Sequence, residues 1–134
     1  MTKKLYTMKE ACEKTGLTYD TLKFYCNKNL VPFLKRDKNN RRTFTNNNLA
    51  WLESLKCLKR CGMSIEEIKT YLDSALRGES TILERKAMLE QKEHDIHRQI
   101  AELEQSLEFI AWKKNLYDDF ITGRRKYYTN LRED

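Results

Sequence analysis

Apolar residues recur every seven positions along the last third of the chain, and this repeat limits the possible folds more than any other feature. No glycine or proline interrupts residues 79–122, so the pattern predicts one continuous helix of about 37 residues, or about 55 Å. A lone helix of that length cannot bury its apolar stripe, which favours a second copy of the chain as its partner. The repeat comprises Ile82, Leu89, Ile96, Leu103, Ile110 and Tyr117, with Ile100 and Leu107 four residues after two of them.

Charged residues occupy the complementary positions near both ends of this stripe, so the tightest contact is expected over residues 96–110. We therefore predict a dimerisation helix over residues 79–117, followed by a short tail over residues 118–134. The residues predicted to form the dimer contact are Leu89, Ile96, Ile100, Leu103, Leu107 and Ile110.

Two short helices separated by a tight turn are predicted at the start of the chain. The first covers Met8 to Thr15, Gly16 and Leu17 supply the turn, and Thr18 caps the second helix. The stretch TYDTLKFYCNKNLVP, residues 18–32, then leads into a basic segment. This arrangement is typical of a helix-turn-helix that inserts its second helix into a DNA groove.

The segment from Leu34 to Phe44 is predicted to form a β-hairpin, with Asn39 and Asn40 at its tip. Two more helices are predicted after it. The first covers Asn46 to Cys61, with Thr45 as its cap and Gly62 at its end. The second covers Ile65 to Leu76; Ser64 and Glu67 form its capping box, and Gly78 ends it. The predicted fold class is therefore mainly α, with a winged helix-turn-helix over residues 1–78 and a coiled-coil helix after it.

Positive charge is concentrated in the first half of the chain. Residues 1–62 carry 14 Lys and Arg against 5 Asp and Glu, a net charge of +9, which leaves −3 for the remainder and +6 overall. A polyanion such as double-stranded DNA is therefore the expected partner of the N-terminal half. The alternative is that these lysines only keep the surface soluble.

Several other classes of protein are disfavoured. No apolar run reaches transmembrane length, and MTKKLYTMKEAC has no apolar signal core, so we expect a cytoplasmic protein with reduced cysteines and no membrane partner. No glycine-rich phosphate loop or nucleophile and base pair suggests an enzyme, and no cofactor is expected. His94 and His97 lie outside the apolar stripe and are expected on a solvated face rather than in a metal site.

Cys57 is the candidate sensor residue. Lys56, Lys59 and Arg60 adjoin it, and nearby cations favour the thiolate that attacks aldehydes, quinones or peroxides. The alternative is that Cys57 is a small buried residue of the core. Cys61 follows one turn later, although two cysteines so spaced within a helix meet disulfide geometry poorly.

The chain resembles the MerR-type transcription regulators over nearly its whole length. The matching segments are Thr7 to Cys12, Gly16 to Thr18, Thr21 to Tyr25, Asn29 to Pro32, Arg42 to Phe44, and Gly62 to Ile68. The chain departs from the family pattern at several positions. Lys23 stands where the family usually has arginine, and Cys26 and Asn27 stand where an acidic residue is common. Asn29 and Asn40 stand where glycine is common, and Arg41 stands where an aromatic residue is common.

The resemblance implies a homodimer whose antiparallel long helices hold two heads on successive major grooves of a pseudo-palindromic promoter, which they distort so that RNA polymerase can engage it. It places Phe24 either on DNA or against the first helix. The residues it implies for DNA binding are Thr18, Tyr19, Asp20, Lys23, Tyr25, Arg42, Lys59 and Arg60.

The resemblance also bears on the effector. Metal-sensing members carry paired cysteines near the far end of the long helix and drug-sensing members append a ligand domain, whereas here no cysteine follows Cys61 and only a short tail follows Tyr117. The segment around Cys57 is similar to the thiol-based, aldehyde-responsive branch of the family. Two other functions remain open at this point, an architectural or recombination-accessory protein that bends DNA, and a coiled-coil adaptor that binds an acidic protein.

Overall fold

A computed structural model describes residues 4–133, and it confirms the mainly helical fold with a small hairpin and a long C-terminal helix. The elements in chain order are α1 (Met8–Thr15), α2 (Tyr19–Asn27), β1 (Lys35–Arg36), β2 (Arg42–Thr43), α3 (Asn46–Arg60), α4 (Ile65–Leu76), a 3-10 turn (Glu79–Thr81) and α5 (Ile82–Ile121).

Each of the first four helices begins at a hydroxyl residue that caps it. The side-chain oxygens of Thr18, Thr45 and Ser64 accept hydrogen bonds from the backbone N–H three residues later, as predicted. Thr7 caps α1 in the same way, with Glu10 completing a capping box that the sequence reasoning did not identify. These caps define where the helices of the head begin.

The predicted hairpin is present as two short antiparallel strands, in which Lys35 pairs with Thr43 and Arg36 with Arg42. Asn40 adopts a φ of 61° at the tip, and Asn29 a φ of 60° after α2, so asparagine takes the left-handed conformation where a glycine would serve. Backbone hydrogen bonds of 2.8 Å between Tyr6 and Phe44 attach the segment before α1 to the end of the hairpin. We call residues 35–43 the wing.

The core of the head is built from side chains of α1, α2 and α3, and α4 packs against α3 and contributes Ile68 to it. The indole Nε1 of Trp51 donates a 2.6 Å hydrogen bond to the carbonyl oxygen of Leu30, which fixes α3 to the segment after α2. The largest fully buried side chains are Leu22, Leu30, Phe44, Leu52, Leu55, Met63 and Ile68.

The chain divides into two compact units, Met1–Lys92 and Glu93–Asp134. The first extends beyond residue 78, where the sequence suggested a boundary, because side chains from the start of α5 take part in it. Met88 packs against the core of the head, and the Lys92 ammonium lies 2.8 Å from the Glu67 carboxylate. That contact and the cap at Ser64 hold the pKa of Glu67 below its ordinary value.

The second unit contains the rest of α5 and the tail. The helix continues to Ile121, four residues beyond the predicted end, and Gly123 then adopts a φ of 76°. The Phe120 ring makes edge contacts with Tyr127 and Tyr128, at centroid distances of 5.3 and 5.4 Å. The tail therefore folds onto the last turn of its own helix.

Within residues 4–133, no helix combines the length and the apolar composition needed to span a bilayer.

Candidate nucleic-acid interface

The outer face of α2 and its cap carry four of the eight residues predicted to contact DNA. Thr18, Tyr19, Asp20 and Lys23 are all exposed, and Tyr19 is 56% exposed although it is aromatic. Leu22 is fully buried on the opposite face, which fixes the side of α2 that faces solvent. The structure therefore brings these four residues together on one surface of a two-turn helix.

Tyr25 lies in the core rather than on this surface, with only 6% of the residue exposed. Burial raises the pKa of its hydroxyl. Among residues 4–133 no fully enclosed side-chain oxygen lacks a hydrogen-bond partner, and Tyr25 has no side-chain hydrogen bond there, so its hydroxyl oxygen retains some solvent access. Any phosphate contact would therefore involve the hydroxyl alone.

Phe24 is 43% exposed, so packing does not enclose it. Its ring lies 6.1 Å from that of Tyr25, and the Lys28 ammonium lies 5.7 Å from its centroid.

Two arginines face each other across the wing. Arg36 on β1 is paired with Arg42 on β2, and its Nη1 donates a 2.9 Å hydrogen bond to the carbonyl oxygen of Asn40. The Asp37 Oδ1 atom accepts hydrogen bonds of 2.9 Å from the backbone N–H groups of Asn39 and Arg41, which stabilises the turn. Like charges directly opposite on neighbouring strands repel, so an anion bound between them would stabilise the wing.

The guanidinium of Arg42 is hydrogen-bonded to the end of α2. Its Nη2 donates a 2.7 Å hydrogen bond to the Oδ1 of Asn27, the last residue of α2. Arg42 was predicted as a DNA contact, whereas Asn27 was noted only as a departure from the family pattern.

A cleft of about 460 Å³ lies between the start of α1, the start of α2 and the wing. Lys9 and the three wing arginines line it, Tyr19 forms one wall, and Asp37 is its acidic residue. The N-terminal end of α1 adds the positive end of its helix dipole. The cleft is suited to a phosphate group. It brings together Tyr19 and Arg42, which were predicted to contact DNA, and Lys9, Arg36 and Arg41, which were not.

Lys59 and Arg60 are exposed in the last turn of α3 and do not line this cleft. They could contact a longer nucleic acid only as a second, separate cationic site.

Cys57 is exposed on α3, so the alternative that it is a buried core residue is wrong for the described chain. Its neighbour Lys56 turns toward α1, where its ammonium bonds the carbonyl oxygen of Thr15 and lies 3.4 Å from Glu53. Cys61 is half-buried, and all four cysteines are free thiols.

The other two cysteines belong to the head's core. Cys26 is buried and Cys12 packs against the core. Burial raises the pKa of both thiols, and for Cys26 it outweighs the opposite effect of Arg42 and Arg36. These thiols are therefore poor candidates for reaction with electrophiles.

The apolar stripe on α5 is largely uncovered in a single chain. Leu103 is 65% exposed and Leu107 is 64% exposed, in contrast to the fully buried leucines of the head. Ile96 is half-buried. The other predicted contact residues are also exposed, namely Leu89, Ile100 and Ile110.

Two family profiles match the chain. The profile "MerR HTH family regulatory protein" matches residues 6–75, and "MerR, DNA binding" matches residues 49–112.

Individual relatives agree with these matches. An HTH-type transcriptional regulator of Haemophilus influenzae is 38% identical over 84% of this chain and 83% of its own length. The regulator YyaN of Bacillus subtilis is 30% identical over 97% of this chain and 96% of its own. Among solved structures, HiNmlR, described as a MerR family regulator lacking the sensor domain and bound to promoter DNA, is 35% identical and superimposes with a TM-score of 0.74, covering 96% of this chain and 98% of the other.

Proposed function

This chain belongs to the MerR family of helix-turn-helix transcriptional regulators, and from that premise we propose that it binds a pseudo-palindromic promoter as a homodimer and distorts it. The observation that carries the proposal is the cationic cleft between α1, α2 and the wing, beside the exposed face of α2. The similarity to a regulator crystallised on promoter DNA supports the same partner. Such a regulator acts in the cytoplasm.

The two surfaces have different tasks in this proposal. The exposed face of α2 enters the major groove, where Tyr19, Asp20 and Lys23 reach base edges or nearby phosphates. The cleft binds the flanking phosphate backbone, while Lys59 and Arg60 bind backbone further along. Phosphate contacts supply most of the affinity and fix the position of α2 relative to the bases.

The homodimer is needed because one head covers only one half-site. In a parallel pair, the stripe would place Lys86, Glu93 and Lys114 each against its own copy. An antiparallel pair that sets Ile100 against Leu107 brings Glu93 level with Lys114, which has the opposite charge. The charges on the stripe therefore favour the antiparallel arrangement.

Binding in this way would bend and untwist the promoter so that RNA polymerase can engage both of its elements. We propose further that an electrophile or oxidant controls this distortion through Cys57, whose thiol is exposed on α3, the helix that ends with Lys59 and Arg60.

Footprinting on the DNA upstream of the regulated genes tests the function as a whole. A regulator of this kind protects a promoter between its two polymerase elements and changes transcription from it. An architectural protein would protect sites elsewhere, and a coiled-coil adaptor would protect none.

Arg42→Ala should weaken operator binding by about 10- to 100-fold, because a hydrogen bond to a charged group contributes about 1.5–3 kcal/mol. It should also lower the slope of log affinity against log salt by about 1 for each head, because fewer counterions are released. Fluorescence anisotropy over a salt series measures both quantities. Lys126→Ala, which removes the same charge from the C-terminal unit, is the matched control, and an Arg42 variant that behaves like it would exclude the wing from the interface.

Tyr25→Phe should weaken binding about 3- to 10-fold while leaving the salt slope unchanged, because it deletes a neutral hydroxyl and no cation. The ring stays in the core, so the thermal midpoint should shift little. Equal affinity of Tyr25→Phe and the unmodified protein would show that the hydroxyl does not touch DNA.

A further inference from the structure

A hydrogen bond between residues 15 positions apart joins α2 to the wing. Asn27 ends α2, and its Oδ1 accepts from the Nη2 of Arg42 at 2.7 Å. Both side chains lie at the surface, so the bond is accessible to a bound nucleic acid.

Arg42 needs such a restraint because its neighbour repels it. Arg36 lies directly opposite on β1, and its own guanidinium is already held by the carbonyl oxygen of Asn40. A long, unrestrained arginine side chain has many rotamers, and repulsion would favour those that point away from Arg36. The bond to Asn27 selects a rotamer that keeps the Arg42 guanidinium beside the C-terminal end of α2.

The acceptor is a neutral amide, which matters for the charge of the cleft. A carboxylate at residue 27 would hold Arg42 as well but would cancel its charge. Asp37 lines the same cleft, and one of its oxygens already accepts two backbone hydrogen bonds within the wing turn. The last turn of α2 has no basic residue of its own. The negative end of the helix dipole therefore attracts the Arg42 guanidinium without adding an acidic group.

We propose that Asn27 is a positioning residue for Arg42, which orients the guanidinium for a phosphate while leaving its charge available to DNA. This inference rests on the proposed function, in which Arg42 binds the phosphate backbone. Asn27 itself acts through Arg42 rather than through a base.

Four variants measured by anisotropy over a salt series test this assignment. Asn27→Ala should weaken operator binding by about 3- to 10-fold with an unchanged salt slope, since the charge of Arg42 remains but its orientation is lost. Asn27→Asp should keep the orientation but lower the salt slope by about 1 for each head, because the carboxylate neutralises Arg42. The double variant Asn27→Ala with Arg42→Ala should bind within about twofold of Arg42→Ala alone, because two residues that act as a unit are not additive.

Asn47→Ala, the same change on the first turn of α3, is the control, and thermal unfolding of every variant checks that the head is folded. If Arg42→Ala weakens binding but Asn27→Ala does not, the positioning role is wrong and the proposed function stands. If the losses from Asn27→Ala and Arg42→Ala add, Asn27 acts independently of Arg42 and the inference fails. If Arg42→Ala itself binds normally, the wing contact of the proposed function fails, and the inference fails with it.

Discussion

Replacing Leu103 and Leu107 together with lysine should convert the protein to monomers that bind the operator at least about 100-fold more weakly. Both side chains are about two-thirds exposed in a single chain, and both lie at the centre of the seven-residue repeat. Four lysines in the middle of a paired stripe would have to be buried without partners. A monomer has one head, so it also loses the 10²- to 10⁴-fold gain, roughly, that linking two binding modules provides.

Sedimentation velocity measures the first effect and anisotropy with the full operator measures the second. The matched control is the pair Ala101→Lys and Gln105→Lys. These residues lie two positions from Leu103 on either side, which places them on the opposite face of α5, and both are exposed. The control should remain dimeric. A wild-type chain that sediments as a monomer at micromolar concentration would contradict the homodimer itself.

Cys57→Ser should abolish induction by aldehydes or quinones and leave operator affinity within about twofold of the unmodified protein, since surface substitutions outside a contact rarely change the energetics by more than about 0.5 kcal/mol. The thiol is exposed on α3, which packs against α1 and α4 through its buried residues. An adduct there would add bulk to the exposed side of α3. A small rotation of the head would then change the distortion imposed on the promoter.

Transcription in vitro with and without a quinone tests the loss of induction, and Cys61→Ser is the matched control on the same helix. Labelling with an alkylating reagent provides an independent measurement. Cys57 should react quickly, whereas Cys26 should react slowly because it is buried and burial raises the pKa of its thiol. Normal induction in Cys57→Ser, or a Cys57 thiol that resists the reagent in the folded dimer, would exclude the sensor role.

Helical periodicity alone would have predicted two features that the sequence analysis left open or placed wrongly: the exposure of Cys57 and the burial of Tyr25. Cys57 lies two residues after Leu55, which is fully buried, so a helix places Cys57 on roughly the opposite side. Tyr25 lies three residues after Leu22, which is also fully buried, so it had to share the buried face of α2. A helical wheel aligned on these leucines places Cys57 on the solvent side of α3 and Tyr25 on the buried side of α2.

The sequence by itself determined where the helices of the head begin and where the wing turns. Capping is a contact over three residues, so Thr18, Thr45 and Ser64 could be identified from spacing alone. The left-handed conformations at Asn29 and Asn40 are likewise local preferences of the residue type. The family motifs combine these local signals, which is why the fold and the DNA-binding class could be predicted together.

Only the tertiary structure decided which residues far apart in the chain meet. The bond from Arg42 to Asn27 and the contact of Lys92 with Glu67 both depend on the path of the intervening backbone. No periodicity encodes these pairs, because each polar or aromatic side chain has several energetically similar partners in the unfolded chain. The packing of the fully buried core selects one partner for each, and with it the orientation of the cationic cleft.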